Sequence, residues 1–136
     1  MCFSAAAHDY MFKHLEVKDG LSNNQVNAIY KDSKGFMWFG TASGLNRYDG
    51  YDTKIYRSQK DDATSLPDNY IENIQEDASG NLWIRTGTGY AIYNSVTDTF
   101  DRNVEAWMWN IGISGNPSSI YIDKGKNFWI YIADKG

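Results

Sequence analysis

The feature of this chain that most constrains its fold is an internal repeat of about 45 residues. Each motif residue of the first copy is followed, 45 positions later and without a gap, by an identical or similar residue in the second copy. A third copy begins with motif residues that lie 46 positions after their equivalents in the second copy. Such a period indicates an architecture in which each repeat is one supersecondary unit that buries its apolar face against its neighbours. The recurring positions are Leu21, Val26, Ile29, Asp32, Gly35, Trp38, Thr41, Gly44 and Tyr48 in copy one, Leu66, Ile71, Ile74, Asp77, Gly80, Trp83, Thr86, Gly89 and Tyr93 in copy two, and Asp123 and Trp129 in copy three.

Each copy is predicted to form four short strands. In copy one, VNAIYKD alternates between apolar and polar residues and ends at D-S-K-G, a hairpin turn in which Asp can bond turn amides and Gly can take positive φ. FMWFGTA follows as a nearly continuous apolar run, which suits a strand covered on both faces by stacked sheets. LNRYD and DTKIYR supply the third and fourth strands.

This pattern predicts an all-β fold, an incomplete β-propeller in residues 10–136. Two complete four-stranded blades are expected near 21–57 and 66–103, with the start of a third at 118–136. Leucine-rich repeats are shorter than this period, and helical repeats would show a 3.6-residue periodicity that these segments lack. Two blades and part of a third form an arc, that is, an incomplete ring with two open ends. Because blades bury their faces against one another, both open ends of this arc are expected to expose apolar surface.

The repeated residues are assigned to structure rather than to chemistry. The tryptophan of each copy is predicted to pack between neighbouring sheets, because large rings at equivalent positions fill the wedge between twisted blades. Stacking of these tryptophans on a sugar is the alternative. The Asp and Gly of each D-x-x-G segment are assigned to turn geometry and not to metal binding.

These motifs resemble the two-component regulator propeller repeats. The D-x-x-G, W-[IF]-G-T and G-L-x-R-Y-D segments of that family correspond here to residues 32–35, 38–41 and 44–49, and the resemblance extends from Tyr10 onward. The resemblance implies the N-terminal part of the periplasmic sensor domain of a hybrid two-component histidine kinase. It also implies recognition of glycan-derived oligosaccharides, on the outer side of the inner membrane. The 136 residues contain no kinase segment, so the chain itself is not predicted to be an enzyme.

The residues that break the repeat are the binding candidates. Arg85 stands where copy one has Gly40, and Tyr90 stands where copy one has Leu45. Arg85 could present its guanidinium to a carboxylate or sulfate of an acidic sugar. The alternative is an arginine stacked on a blade aromatic or paired with Asp or Glu. Copy three departs from the pattern at Tyr131.

Trp107 and Trp109 are a second pair of candidates. They lie two residues apart in EAWMWN and are expected to share one face of a strand. There they would form a stacking platform for a sugar ring or cap the hydrophobic edge of blade two. Tyr70 and Tyr90 are weaker candidates for the same kind of contact.

The ends of the chain carry separate expectations. Residues 1–9 are interpreted as the remnant of a secretory signal peptide or as a disordered N-terminus, since Ala5 and Ala7 suit an A-x-A cleavage site. The segment 10–17, YMFKHLEV, alternates like an outer strand and is expected to close the last blade of the full ring. The predicted partners are therefore the remaining blades and, as a further option, a second copy of the chain.

Composition and motifs argue against several other functions. A net charge of −4 gives no basic field for nucleic acid, and no apolar run reaches membrane-spanning length. No metal or cofactor is predicted, because His8 and His14 lack companions at ligand spacing and Gly87-Thr88-Gly89 lacks the third glycine of a phosphate loop. A propeller enzyme similar to streptogramin lyase would need a general base, and no histidine follows position 14. A protein-binding scaffold is the remaining alternative.

Overall fold

The computed structural model describes residues 21–114 and 117–132, which form two four-stranded sheets, a two-stranded sheet and one short helix. Each four-stranded sheet is an antiparallel meander in which sequential strands are neighbours. The prediction of an all-β, incomplete propeller is thus confirmed, with two full blades and the start of a third. Blade one contains Val26–Lys31 (β1), Met37–Thr41 (β2), Gly44–Tyr48 (β3) and Thr53–Tyr56 (β4). Blade two contains Ile71–Glu76 (β5), Leu82–Thr86 (β6), Tyr90–Asn94 (β7) and Thr99–Asp101 (β8).

The third sheet pairs Pro117–Ile122 (β9) with Phe128–Ile132 (β10). Between blade two and this sheet runs a helix, Val104–Asn110 (α1), whose N-cap is Asn103. The expectations for residues 1–9 and 10–17 lie outside the described residues. Within the described part of the chain, no helix has the length and apolar character needed to cross a bilayer.

The D-x-x-G turns have the predicted geometry. Oδ1 of Asp32 accepts hydrogen bonds from the backbone N–H groups of Lys34 and Phe36, each at 2.9 Å, while Gly35 has a φ of +96°. In copy three the glycine is shifted to position 125, so Lys126 takes the equivalent turn position with a φ of +64°. Its ammonium donates to the backbone carbonyl of Glu76 at 3.0 Å, which ties the third sheet to blade two.

Trp38 and Trp83 pack between neighbouring sheets, and the tryptophan of every copy is hydrogen-bonded to the repeated aspartate. The indole Nε1 donates to Oδ2 of the aspartate six residues earlier at 2.8 Å, 2.9 Å and 2.8 Å in the three copies. Trp38 and Trp83 are 1% and 0% exposed, because the following sheet covers each of them with an aromatic ring. Trp129 is 63% exposed in the described part of the chain.

The expectation that both ends of the arc expose apolar surface is wrong for the end at blade one. Leu21, Met37 and Phe39 form a buried cluster there, each at most 4% exposed, with Val26 and Tyr48 against it. Among the sheets of the described residues, the third one presents an open aromatic face. That face carries Tyr121, Trp129 and Tyr131, which are 57% to 64% exposed.

An interblade groove as candidate functional site

The interface between blades one and two is close-packed at its inner end. A Cβ added to Gly40 on β2 would lie 2.4 Å from Cγ2 of Ile71 on β5, so only glycine permits this approach. As a result β5 packs along both β1 and β2. Leu45, which is fully buried, completes this contact from β3.

The interface between blade two and the third sheet is different, because other residue types stand at the two positions equivalent to Gly40 and Ile71. Arg85 stands at the position of Gly40, and Pro117 stands 46 residues after Ile71. The third sheet touches β5 over only a short stretch. A groove of about 400 Å³ opens beside this interface. Its volume lies in the range of small-molecule sites. We call it the interblade groove, and the side chains that line it include those of Pro67, Thr88, Tyr90, Arg102, Asn103, Glu105 and Pro117.

The two residues that break the repeat lie together. The Arg85 guanidinium carbon is 5.7 Å from the centre of the Tyr90 ring, and its Nε is 3.4 Å from Oε1 of Glu72. Both contacts match the alternative interpretation, an arginine stacked on a blade aromatic and paired with a carboxylate. The hydroxyl of Tyr90 accepts a hydrogen bond from the backbone N–H of Ile120 at 2.8 Å. Tyr90 therefore joins blade two to the third sheet while its ring lines the groove.

Glu72 is placed by a β-bulge that recurs in every copy. The register shifts at Asn27 in β1, at Glu72 in β5 and at Ser118 in β9, which are equivalent repeat positions. A bulge leaves one residue out of the ladder and redirects its side chain. Asn27 uses this freedom to donate to the backbone carbonyl of Ile71 at 3.0 Å, and Glu72 uses it to reach Arg85.

The prediction that Trp107 and Trp109 share a strand face is wrong, because both lie on α1. Glu, Ala and Met favour helix, and Asn103 caps the helix by accepting from the backbone N–H of Ala106 at 3.2 Å. Residues two apart on a helix point to nearly opposite sides. Trp107 packs edge-on against Trp83, with ring centres 4.7 Å apart, while Trp109 is 71% exposed. Trp107 thus caps the edge of blade two.

Tyr70 lies just before β5, on the side of blade two that faces blade one. It is 42% exposed, and its hydroxyl accepts from Nε2 of Gln25 at 3.4 Å. The structure therefore brings Arg85 and Tyr90 together and leaves Tyr70 and Trp109 apart from them. A ligand-binding role for any of the five residues stays a prediction.

Residues that the sequence patterns did not single out complete the groove. Thr88 lies in the turn between β6 and β7, and Asn103 and Glu105 lie at the start of α1. The only sequence signal that could have found the last two is the helix cap, which the interpretation of this segment as a strand hid. The described residues hold no group of three or more His, Cys, Asp or Glu side chains placed to bind a metal ion.

A separate polar cluster joins the outer strands of blades one and two. Oδ1 of Asp98 accepts from the hydroxyls of Tyr56 at 2.6 Å and Tyr93 at 2.7 Å, and Lys54 donates to Oδ2. Arg47 donates to the Tyr93 hydroxyl at 2.9 Å. Burial opposes the ionisation of Asp98, but the hydrogen bonds from Lys54 and the tyrosines outweigh it and hold its pKa at about 2. Burial and the bond to Asp98 raise the pKa of Tyr56.

An inner cluster joins the same blades near the axis of the arc. The buried carboxylate of Glu76 accepts from Oγ of Ser33 at 2.7 Å and from the hydroxyl of Tyr30 at 3.3 Å. Burial and then the Glu76 charge raise the pKa of Tyr30 to about 12, so the tyrosine remains a donor at neutral pH. Blades one and two are therefore held by polar contacts at both ends of their interface.

Comparison with known proteins agrees with this architecture. The two component regulator propeller family matches residues 20–43 and 65–88. A histidine kinase, P4, of Formosa agariphila is 43% identical over 58 residues, which is 43% of this chain and 4% of that protein.

Two solved structures from B. thetaiotaomicron share the fold. The extracellular domain of BT3049, described as a hybrid two component system, has a TM-score of 0.65 at 28% identity, over 86% of this chain and 17% of that one. The extracellular domain of BT4673 has a TM-score of 0.61 at 30% identity, over 85% of this chain and 16% of that one. The chain thus spans about a sixth of the length of these domains. Two segments of the chain thus match the two component regulator propeller model, and its fold is similar to that of part of the extracellular domains of such signalling proteins.

Proposed function

We propose that this chain is part of the ligand-sensing propeller of a bacterial two-component sensor, that it lies outside the cytoplasmic membrane, and that it responds to an oligosaccharide. The observation that carries the proposal is the interblade groove. It opens at the place where Arg85 and Tyr90 replace the residues that close the first interface. The match to extracellular domains of two component systems supports the location and the signalling role.

The groove suits signalling because it lies between two sheets rather than within one. A ligand there would contact β7 and α1 on one side and β9 on the other. Its binding free energy would favour one arrangement of blade two and the third sheet over others, and a ligand shifts an equilibrium only through such differential affinity. The remaining blades of a full ring and a second copy of the chain are the proposed protein partners.

Calorimetry against a panel of oligosaccharides tests the proposal. We expect at least one sugar to bind and Arg85→Ala, which removes the support behind Tyr90, to weaken its affinity by about tenfold. Trp109→Ala and Tyr70→Ala show whether the exposed aromatic side chains outside the groove contribute to the affinity for the sugar. Tyr51→Ala is the control, since Tyr51 is 92% exposed and distant from the groove in the sequence.

Two results would count against the proposal. An absence of heat from every sugar, with the protein shown to be folded by circular dichroism, would remove oligosaccharides as the ligand. Conversion of a bound sugar into a new product would instead favour the enzyme alternative, because a sensor releases its ligand unchanged.

A further inference from the structure

Two arginines stand at equivalent positions of the repeat, each just after the outer strand of its blade. They are Arg57 and Arg102, which lie 45 residues apart. In blade one, Nε of Arg57 donates to the backbone carbonyl of Ser43 at 2.9 Å, in the turn between β2 and β3. A Cβ added to Gly44 would lie 3.2 Å from Cγ of Arg57. Arg57 therefore covers the β2–β3 turn of its own blade.

In blade two the arginine leaves the equivalent turn uncovered. A Cβ added to Gly89, which corresponds to Gly44, would have no atom within 4 Å among the described residues beyond its chain neighbours. Arg102 instead binds the loop that precedes blade two. Its Nε donates to the Ser65 carbonyl at 2.8 Å, and its Nη2 donates to the carbonyls of Asp62 at 3.0 Å and Leu66 at 2.9 Å and to Oγ of Ser65 at 3.0 Å. Thr88, Gly89 and Arg102 all line the interblade groove, which thus lies beside the uncovered turn.

These hydrogen bonds fix the guanidinium of Arg102 without pairing its charge. All of the acceptors are carbonyl or hydroxyl oxygens, and the carboxylate of Asp62 accepts instead from the N–H and hydroxyl of Thr64, at 2.9 Å and 2.6 Å. Within residues 21–114 and 117–132, Arg102 forms no ion pair and its Nη1 donates no hydrogen bond. Arg85, by contrast, lies 3.4 Å from the Glu72 carboxylate. Of these two arginines, Arg102 therefore has the fixed and unpaired charge, and a guanidinium held in this way binds an anion at little cost in side-chain entropy.

The other polar groups of the groove complement this cation. Asn103, next to Arg102 in the chain, uses Oδ1 to cap α1, and its Nδ2 has no hydrogen-bond acceptor among the described residues. The exposed carboxylate of Glu105 likewise makes no hydrogen bond or ion pair in that part of the chain. The charged side chains of the lining are therefore balanced, but only the cation is held in place by hydrogen bonds. A ligand carboxylate has two donors available, and sugar hydroxyls can donate to Glu105.

Apolar rings form the remaining walls. Pro67 and Pro117 flank the groove, and Tyr90, which is 9% exposed, contributes an aromatic edge. Such surfaces suit the C–H faces of a pyranose ring. The groove thus combines a surface for a sugar ring with a fixed donor for an acidic group on that ring.

From this arrangement we infer that the interblade groove recognises a sugar acid, whose carboxylate is held by Arg102 and Asn103 and whose hydroxyls donate to Glu105. The inference rests on the proposed function and deepens it by naming the class of sugar. It moves the contact with an acidic sugar from Arg85, where the sequence pattern placed it, to Arg102. Arg85 supports the Tyr90 ring and does not contact the ligand.

The test compares matched sugars that differ at C6, where one has a hydroxymethyl group and the other a carboxylate. The pairs are the α-1,4-linked galactose and galacturonate trimers and the β-1,4-linked glucose and glucuronate trimers, and calorimetry measures their binding to the purified chain. At low ionic strength we expect an acidic trimer to bind about tenfold or more tightly than its neutral counterpart, because a charge-assisted hydrogen bond to a fixed guanidinium is stronger than a neutral one. This difference should shrink as sodium chloride is added, since salt screens the attraction.

Substitutions of the three arginines locate the preference. Arg102→Gln should weaken the acidic trimer about tenfold and bring its affinity close to that of the neutral trimer, because the charge is lost. Arg57→Gln removes the same charge from the equivalent position of blade one and is the matched control, expected to change neither affinity. Arg85→Gln should weaken both trimers by the same factor, since it acts through Tyr90 and not on the carboxylate.

A further variant tests the groove without touching the arginines. Glu105→Gln removes no hydrogen bond or ion pair of the described chain, and it keeps an acceptor for sugar hydroxyls. It should raise the ratio of acidic to neutral affinity about threefold, because a carboxylate near the ligand carboxylate is lost.

The outcomes separate this inference from the proposed function. Equal or tighter binding of the neutral trimers by the unmodified chain would overturn the inference and leave an oligosaccharide sensor standing. A preference for the acidic trimer that survives Arg102→Gln in a folded protein would also overturn it. No binding by any sugar would overturn both. If circular dichroism shows that Arg102→Gln disturbs folding, Glu105→Gln decides, and an affinity ratio that does not rise would overturn the inference.

Discussion

At the scale of single residues, the recurring unit is an aspartate that serves a turn and a tryptophan together. In blade two, Oδ1 of Asp77 accepts from the backbone N–H groups of Ser79 and Asn81, while Oδ2 accepts from the indole of Trp83. The same aspartate–indole bond forms in copy three, although Trp129 is mostly exposed. The unit therefore depends on residues within a few positions of one another and not on the next blade.

The next blade changes how much this aspartate–tryptophan unit contributes to the free energy of unfolding. Asp77→Ala would leave the buried indole N–H of Trp83 and two turn amides without an acceptor, which should lower the free energy of unfolding by about 2–4 kcal/mol. Asp123→Ala removes the same bonds where solvent can replace them, so it should cost clearly less than Asp77→Ala. Urea denaturation of both variants measures the difference. Equal losses would contradict the role given to burial.

At the scale of strands and sheets, the two interfaces use different contacts to hold similar sheets together. Blades one and two meet through Glu76 at the inner end and Asp98 at the outer end. Blade two and the third sheet meet through the side chain of Gln75. Its Nε2 donates to the Ile120 carbonyl at 2.9 Å, and its Oε1 accepts from the N–H of Ile122 at 2.6 Å. Within residues 21–114 and 117–132, ionised groups at the outer end are found at the first interface and not at the second.

The outer cluster should make the first interface sensitive to acid. The pKa of Asp98 is about 2 in the folded protein against an ordinary value of 3.8, so its contribution is present above pH 4 and is lost as the pH falls toward 2. Asp98→Asn should therefore lower the free energy of unfolding at pH 7 by about 1 kcal/mol, after allowance for partial exposure, and by much less at pH 2.

Urea titrations at several pH values measure this effect. Asp61→Asn is the control, because Asp61 is exposed, lies outside the cluster, and has a positive φ that Asn tolerates. A loss of stability for Asp98→Asn that is the same at pH 2 and pH 7 would show that the carboxylate charge is not what stabilises the interface.

At the scale of the whole molecule, the arc ends in an aromatic face. Tyr121, Trp129 and Tyr131 are exposed on the third sheet, whereas Trp38 and Trp83 are covered by rings whose centres lie 5.0 Å and 5.3 Å away, at interplanar angles of 65° and 68°. Continuity of the repeat indicates that a further sheet of the same kind fits this face. Apolar patches of this type also promote association when they are left open.

The isolated chain should therefore self-associate through the third sheet. Tyr131→Lys places a charge in the middle of the aromatic face and should weaken association about tenfold, as measured by sedimentation velocity at several concentrations. Tyr51→Lys makes the same change at an exposed position on blade one and should have little effect. A chain that sediments as a monomer at every concentration, before any substitution, would contradict the prediction.

The fold was predictable from the sequence to a large extent because its determinants are local and repeated. Turn residues at fixed offsets, short apolar strands and the aspartate–tryptophan spacing recur in all three copies, and each forms the structure that the pattern indicates. The segment around Trp107 was predicted wrongly for the same reason. It lies between repeats, so no second copy could correct the interpretation of a short aromatic stretch as a strand.

The candidate site was predictable only in part. Arg85 and Tyr90 were recognisable because they break a repeat, but their partners Glu72 and Ile120 come from a neighbouring strand and a neighbouring sheet. Asn103 and Glu105 carried no repeat signal at all. A binding groove is formed by residues that the fold brings together between sheets. No fixed spacing in a single sequence predicts which residues will be close in this way.

The sequence by itself therefore determined the unit of construction: the strands, the turns, the stacking tryptophans and the order of blades along the chain. These follow from interactions among residues close in sequence and from the alternation of apolar side chains. Only the tertiary structure decided how the unlike interfaces pack, because the distance between sheets depends on which side chains meet across them. Gly40 admits Ile71 and closes the first interface, whereas Arg85 and Pro117 stand at the equivalent positions of the second interface, beside which the groove opens.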